Sequence, residues 1–195
     1  TTYGFGSVLS GGDSDPSGGN SALSWRTAHD TLQRYATRSR LKIPMIYGID
    51  AVHGHSNVTG ATIFPHNIGM GCARNGALIE QSGRITAEEM AATGIRWTFG
   101  PMVGVPRDER WGRTYEGFGE APELAQLGAR AIQGLQGDSL SGRTSVLACA
   151  KHFLGDGGTM NGVDRGNTVG DETAIRNIHL PGYLTSLQYG VGSIM

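Results

Sequence analysis

Ile43-Pro44-Met45-Ile46-Tyr47-Gly48-Ile49-Asp50-Ala51-Val52-His53-Gly54-His55 is the stretch that decides the fold. Its first seven residues form an apolar run with proline near the start, where a strand tolerates it. Its far end delivers Asp50, His53 and His55 into a loop. The pattern returns at residues 95–99, closed by Gly100-Pro101 before a charged segment, and at residues 146–150, closed by Lys151-His152. Residues 5–9, ended by Gly11-Gly12, and residues 191–195 read as a first and a fifth strand.

Helical spacing fills the gaps between these runs. After a polar loop at residues 13–20, Leu23, Ala28, Leu32, Tyr35 and Ala36 recur on one face, with an end expected near residues 38–40. A long connection with Gly and Asn then leads to Asn75, which opens a helix carrying Leu78, Ile79, Ile85 and Met90, closed by Gly94. Pro122 suits a first helical turn, and Leu124, Leu127, Ala131 and Leu135 continue it as one stripe. A last helical region is interrupted by Pro181. Segments 103–120 and 155–170 lack periodicity. The first is dense in charge and aromatic rings, as a structured functional loop would be.

Alternating β and α predict an α/β chain with a parallel sheet under covering helices. An open doubly wound sheet and a (β/α)8 barrel both satisfy that order. No G-x-G-x-x-G opens a helix after a strand with an acidic residue about 20 positions on, so the dinucleotide-binding form lacks its signature. Ionisable residues after several successive strands suit a barrel, which builds its site at the C-terminal face. About five βα units predict a partial (β/α)8 barrel, because eight need roughly 250 residues.

The composition excludes other classes. The chain has 195 residues, 16 Lys+Arg against 17 Asp+Glu and a net charge of −1, which gives no electrostatic reason to expect nucleic acid or a membrane surface as partner. Its 32 glycines follow no three-residue period, which excludes collagen, and 38% hydrophobic residues is too many for a disordered chain. No apolar run approaches the ~20 residues that span a bilayer. Cys72 and Cys149 are too few for a disulfide framework and read as two buried thiols. The start at Thr1, without a basic-then-apolar leader, suggests an end that was processed or cut.

Three clusters follow strands: residues 48–55, residues 107–116 and residues 151–159. They offer carboxylates, guanidinium, ammonium and imidazole groups beside Trp111 and Tyr115. Planar charged partners for hydroxyls, with aromatic faces for stacking, suit a sugar.

The words Y-G-I-D-A-V-H-G-H (47–55), A-T-I-F-P-H-N-I-G (61–69), R-W-G-R-T-Y-E (110–116) and A-K-H-F-L-G-D-G-G-T (150–159) resemble the N-terminal (β/α)8 domain of the family 3 glycoside hydrolases. The resemblance runs from Gly6-Ser7-Val8-Leu9 to Ile194-Met195 and is closest to the β-glucosidase and exo-β-glucan hydrolase branch. It implies that residues 1–195 are the N-terminal portion of such a barrel, acting on a β-glucoside or β-glucan oligosaccharide without a cofactor, in a periplasmic or secreted enzyme. It further implies a retaining, exo-acting reaction, with two carboxylates about 5–5.5 Å apart.

Carried over by motif, Asp50, Arg113, Lys151 and His152 would bind the hydroxyls of the terminal glucosyl ring, with Glu116 beside them. Asp50 would accept from two hydroxyls. Arg113 and Lys151 would donate and hold neighbouring carboxylates ionised, and His152 would act as a donor. None of these is the nucleophile. The family's Ser-Asp-Trp or Ser-Asp-Tyr nucleophile motif has no counterpart here, since the only Ser-Asp is Ser14-Asp15, followed by Pro16. Nor does the acid/base carboxylate of a later domain. The related N-acetylglucosaminidases carry Lys-His-Phe-Pro-Gly-His-Gly, and Leu154 and Asp156 depart from that pattern. The 195 residues alone are therefore expected to be inactive, with unpaired strand edges that favour aggregation.

Four lesser readings stand beside this one. His53 and His55, with His66 near, resemble the metal pair of barrel amidohydrolases and define an alternative metal-dependent hydrolase. A carbohydrate-binding module without catalysis is a second alternative. Asp13-Ser14-Asp15 before Gly18 resembles a calcium loop but has Ser24 where glutamate is required, so a solvated turn is expected. Asn57-Val58-Thr59 is a formal glycosylation sequon. Arg107 and Asp108 are expected to be structural, and Cys149 a packed thiol on the same side of its strand as Lys151.

Overall fold

The computed structural model describes residues 4–11 and 14–195, so Gly12 and Asp13 of the readings above lie outside the described residues. The strands are β1 (Ser7–Leu9), β2 (Ile46–Ile49), β3 (Trp97–Thr98), β4 (Cys149–Ala150) and β5 (Ser193–Ile194). β1, β2 and β3 pair in parallel in that order, as do β4 and β5. A parallel bridge between Trp97 and Leu147 joins the two sets, reinforced by Thr98 N to Leu147 O at 3.0 Å and Cys149 N to Gly100 O at 2.8 Å. The result is one parallel run, β1-β2-β3-β4-β5, with all strand ends of one polarity on one side. This is the partial (β/α)8 barrel expected, with β1 and β5 as its edges among the described residues.

The strands are shorter than their apolar runs. Ile43 lies before β2 and is exposed, because pairing with β1 starts only at Ile46. The core runs behind the strands through Trp25, Tyr47, Ile49, Met90, Ile95, Val103, Ile132 and Val146.

α1 (Ala22–Ala36) is capped by Ser21, whose side chain accepts from Ser24 N. Its inward face is Trp25, Ala28, Leu32 and Ala36. Leu23 and Tyr35, placed on the stripe from spacing, are exposed. Trp25 wins the inward position because its indole also finds partners, donating to Asn20 Oδ1 at 3.0 Å and Asn57 O at 3.1 Å. α3 (Gly76–Ala92) starts at the expected cap, with Asn75 accepting from Ala77 N and Leu78 N. Gly94, at φ +86°, ends it in the left-handed region. Leu78 points outward, and the packed face is Ile79, Gly83, Ala87 and Met90.

The single stripe expected from Pro122 to Leu135 is two helices, α4 (Pro122–Gly128) and α5 (Ala131–Gln136). At the junction the bonds tighten to i→i−3, as in Arg130 N to Leu127 O at 3.1 Å and Ile132 N to Ala129 O at 3.0 Å. α5 lies close against α3: a methyl at Gly134 would stand 1.9 Å from Glu80 O. α2 (Asn67–Ala73) falls in the stretch read as a connection. Glycines 69 and 71 lower its helix propensity, and tertiary contacts hold it instead. Pro181 opens α7 (Pro181–Gln188) directly after α6 (Glu172–Ala174) and a π turn, Ile175–His179. Cys149 is packed as expected, but Cys72 is exposed at the end of α2.

Candidate active site

The C-terminal ends of the parallel strands gather the ionisable residues. Asp50 follows β2 and Lys151 follows β4. The backbone of Lys151 is held on both sides, its N–H donating to Pro101 O at 3.2 Å and its carbonyl accepting from Val103 N at 3.0 Å. The Lys151 side chain is 4% exposed and its Nζ donates to Asp50 Oδ1 at 2.9 Å, while the Asp50 side chain is 57% exposed. Among the described residues Asp50 is the one hydrogen-bond partner of that ammonium, which carries three donors. Asp50 thus faces solvent with acceptor capacity to spare, above a fixed positive charge.

Arg113 and Glu116 come from the loop after β3. Arg113 precedes and Glu116 ends a 3-10 turn, Thr114–Glu116, in which side chains three residues apart eclipse. The spacing R-x-x-E therefore becomes a fork: Arg113 Nε donates to Glu116 Oε1 at 2.7 Å and Nη2 to Oε2 at 3.0 Å. Those bonds, more than its charge, push the Arg113 pKa above its ordinary value against the opposing effect of burial. Arg113 Nη2 also lies 3.2 Å from His152 Nε2. His152 and Lys151, adjacent in sequence, thus reach two different carboxylate-bearing segments.

All five expected residues meet at one face in two linked groups, Asp50–Lys151 and Glu116–Arg113–His152. The donor role expected for His152 is not what its surroundings favour, because a guanidinium only donates and Nε2 therefore accepts from it. Arg107 and Asp108 serve the loop: Arg107 Nη1 donates to Glu120 O at 2.9 Å, and Arg110 bonds Asp108 and holds its carboxyl at about 2.

Three supporting residues escaped the reading of the sequence. Asn67 Nδ2 donates to Glu116 O at 2.7 Å, so α2 carries the backbone of the turn. Asp164 accepts from Trp111 Nε1 at 3.1 Å and ties the two long loops together. Asp156 Oδ2 stands 2.6 Å from His152 Nδ1. Only Asn67 and Asp156 lie inside quoted motifs, and nothing in their spacing announces a partner.

The paired-histidine metal reading is corrected by geometry. His53 Nδ1 donates to Phe64 O at 2.9 Å, and its ring lies against that of His66, tilted by 35° at 4.0 Å between centroids. His55 is fully buried and its Nε2 lies 3.1 Å from Thr93 Oγ1. The Thr93 hydroxyl gives its own proton to Met90 O, so it accepts from His55. The two rings are committed to different partners, and among the described residues no three His, Cys, Asp or Glu side chains group as metal ligands. The sequon Asn57 is likewise engaged, its Nδ2 donating to Asp50 O at 3.0 Å.

A cleft of about 640 Å³ is lined by Gly4, Phe5, Tyr35, Leu41, Ile43 and Met45 among others. It lies at the N-terminal ends of β1 and β2, on the side away from the ionisable cluster.

Known proteins share this architecture. A lysosomal beta glucosidase of Dictyostelium discoideum is 36% identical over 210 aligned residues, covering 100% of this chain and 25% of that protein. The crystal structure of an exo-1,3/1,4-beta-glucanase from a Pseudoalteromonas species superposes with a TM-score of 0.93 at 50% identity, over 99% of this chain and 25% of that one. A beta-glucosidase from Listeria innocua in complex with glucose gives 0.84 at 30% identity, over 97% and 25%. The chain thus spans about a quarter of the length of these relatives. The sequence profile described as glycosyl hydrolase family 3 N terminal domain matches residues 1–195, and the chain belongs to that family.

Proposed function

We propose that these 195 residues form the N-terminal portion of a family 3 barrel domain and supply the glycone-binding face of a retaining β-glucosidase or exo-β-glucan hydrolase. The observation that carries this is the convergence of Asp50, Arg113, Glu116, Lys151 and His152 on the C-terminal strand ends.

A glucosyl ring offers a row of hydroxyls, each both donor and acceptor. Asp50 accepts from two of them while Lys151 holds the carboxylate in place from below. The two remaining Nζ protons of Lys151 and the guanidinium edge of Arg113 donate. Because Lys151 is buried and Arg113 is clamped by Glu116, these donors are fixed before the sugar arrives, and little reorganisation is needed. His152 steadies that edge, its Nε2 accepting from Arg113 Nη2. The nucleophile and the acid/base carboxylate are assigned to parts of the enzyme outside these 195 residues.

The test is a chimera in which these residues replace the matching quarter of the Pseudoalteromonas enzyme. Turnover of 4-nitrophenyl β-D-glucoside by the chimera, and none by the 195 residues alone, is expected. Turnover by the 195 residues alone, or a folded chimera without any, contradicts the reading.

A further inference from the structure

Asp156 is absent from the set of sugar-binding residues, yet it closes the row Glu116–Arg113–His152. Its side chain is 10% exposed and that of His152 25%, and their 2.6 Å contact is bent away from the straight N–H···O line. His152 Nδ1 is sealed from solvent, and no group among the described residues, Asp156 included, meets it in good hydrogen-bond geometry. Two lone pairs opposed at that separation would repel, so Nδ1 carries a proton. The other nitrogen leads to the same tautomer independently. Arg113 Nη2, 3.2 Å away, can only donate, so Nε2 bears the lone pair.

Asp156 is placed by a turn and not by a flexible tip. Gly158 N bonds Gly155 O at 3.1 Å, Thr168 Oγ1 donates to Gly155 O at 3.1 Å, and Val169 N bonds Gly158 O at 2.8 Å. Its charge is also felt by Arg113, by His179 of the π turn and by Tyr183 of α7.

We propose that Asp156 is a positioning residue of this site: its carboxylate fixes His152 as the Nδ1–H tautomer, which keeps Nε2 an acceptor that holds Arg113 against Glu116. Without it the ring is free to take the Nε2–H form, which would oppose an N–H to the guanidinium N–H and loosen Arg113. The effect on turnover rests on the glycone reading above, whereas the state of the ring does not.

The experiment is a two-bond ¹H–¹⁵N correlation spectrum of the histidine-labelled 195-residue chain at about pH 8, where imidazole is neutral. The His152 signal is assigned with His152→Gln. The expected wild-type pattern is Nδ1–H, switching to Nε2–H in Asp156→Ala and retained in Asp156→Glu. A wild-type ring in the Nε2–H form, which needs no variant to observe, overturns the proposal, as does an Asp156→Ala ring that stays Nδ1–H. In the chimera, Asp156→Ala is expected to lower kcat/KM at least tenfold, with Asp156→Glu recovering most of it. A change within twofold overturns the functional role. A chimera inactive with the wild-type sequence sinks the glycone reading, and the ring spectrum then decides Asp156 alone.

Discussion

Lys151 Nζ and Asp50 Oδ1 meet at 2.9 Å across 101 residues of chain, one group buried and the other half in solvent. That asymmetry makes the two ends of the pair unequal. Asp50→Asn leaves a buried ammonium without its counter-charge, and a loss of about 1–3 kcal/mol is expected, below the 3–5 kcal/mol of a fully buried pair because Asp50 is exposed. Lys151→Met replaces the ammonium with an apolar group of similar length and is expected to cost less. Urea denaturation of both variants checks the order, and an equal or reversed cost would show that the ammonium is not held by Asp50.

His55 gives stability a pH dependence. Burial holds its pKa down at about 4, against an ordinary 6.5, with the Glu89 charge working weakly the other way. The folded state keeps the ring neutral, because Nδ1 is buried without a partner among the described residues and a proton there would go unpaired. Below about pH 6.5 the unfolded chain therefore binds the extra proton, and stability falls as pH drops from about 6.5 to about 4, by up to ~3 kcal/mol. His179, lowered chiefly by burial and then by Arg107, adds to the same trend. Denaturation midpoints from pH 7 to about 4 are expected to be flatter in His55→Gln, and an unchanged slope would rule out His55 as a source.

Gly134→Ala is expected to destabilise by about 1–3 kcal/mol, since the added methyl meets the Glu80 carbonyl of α3 and backbone must shift. At a helix position with open space the same change would stabilise, by removing glycine's excess unfolded-state freedom. Thermal melts of the variant distinguish the two signs.

The strand order and the face of the sheet that carries chemistry were legible because apolar runs ending in Asp50 and Lys151 repeat a simple code. The motif words named the residues that the structure gathers at the strand ends, but not the Arg113–Glu116 fork, which needs the 3-10 turn that brings side chains three residues apart together. What else stayed hidden depends on contacts distant in sequence. Trp25 displaces Leu23 from the buried face because its indole reaches Asn57. The seven-residue helix α2, rich in glycine, forms where Asn67 meets the Glu116 carbonyl, a pairing across 49 residues. The tautomer of His152 depends on Asp156 and Arg113 together, and residue types alone do not fix it.

The measurement that bears most directly on the glycone site is kcat/KM of the chimera for 4-nitrophenyl β-D-glucoside with and without Asp50→Asn. Losing charged hydrogen bonds to two hydroxyls, each worth about 1.5–3 kcal/mol, predicts a fall of about a hundredfold or more with the fold intact. A folded variant whose kcat/KM stays within about twofold of its parent would show that the glucosyl ring does not bind at Asp50.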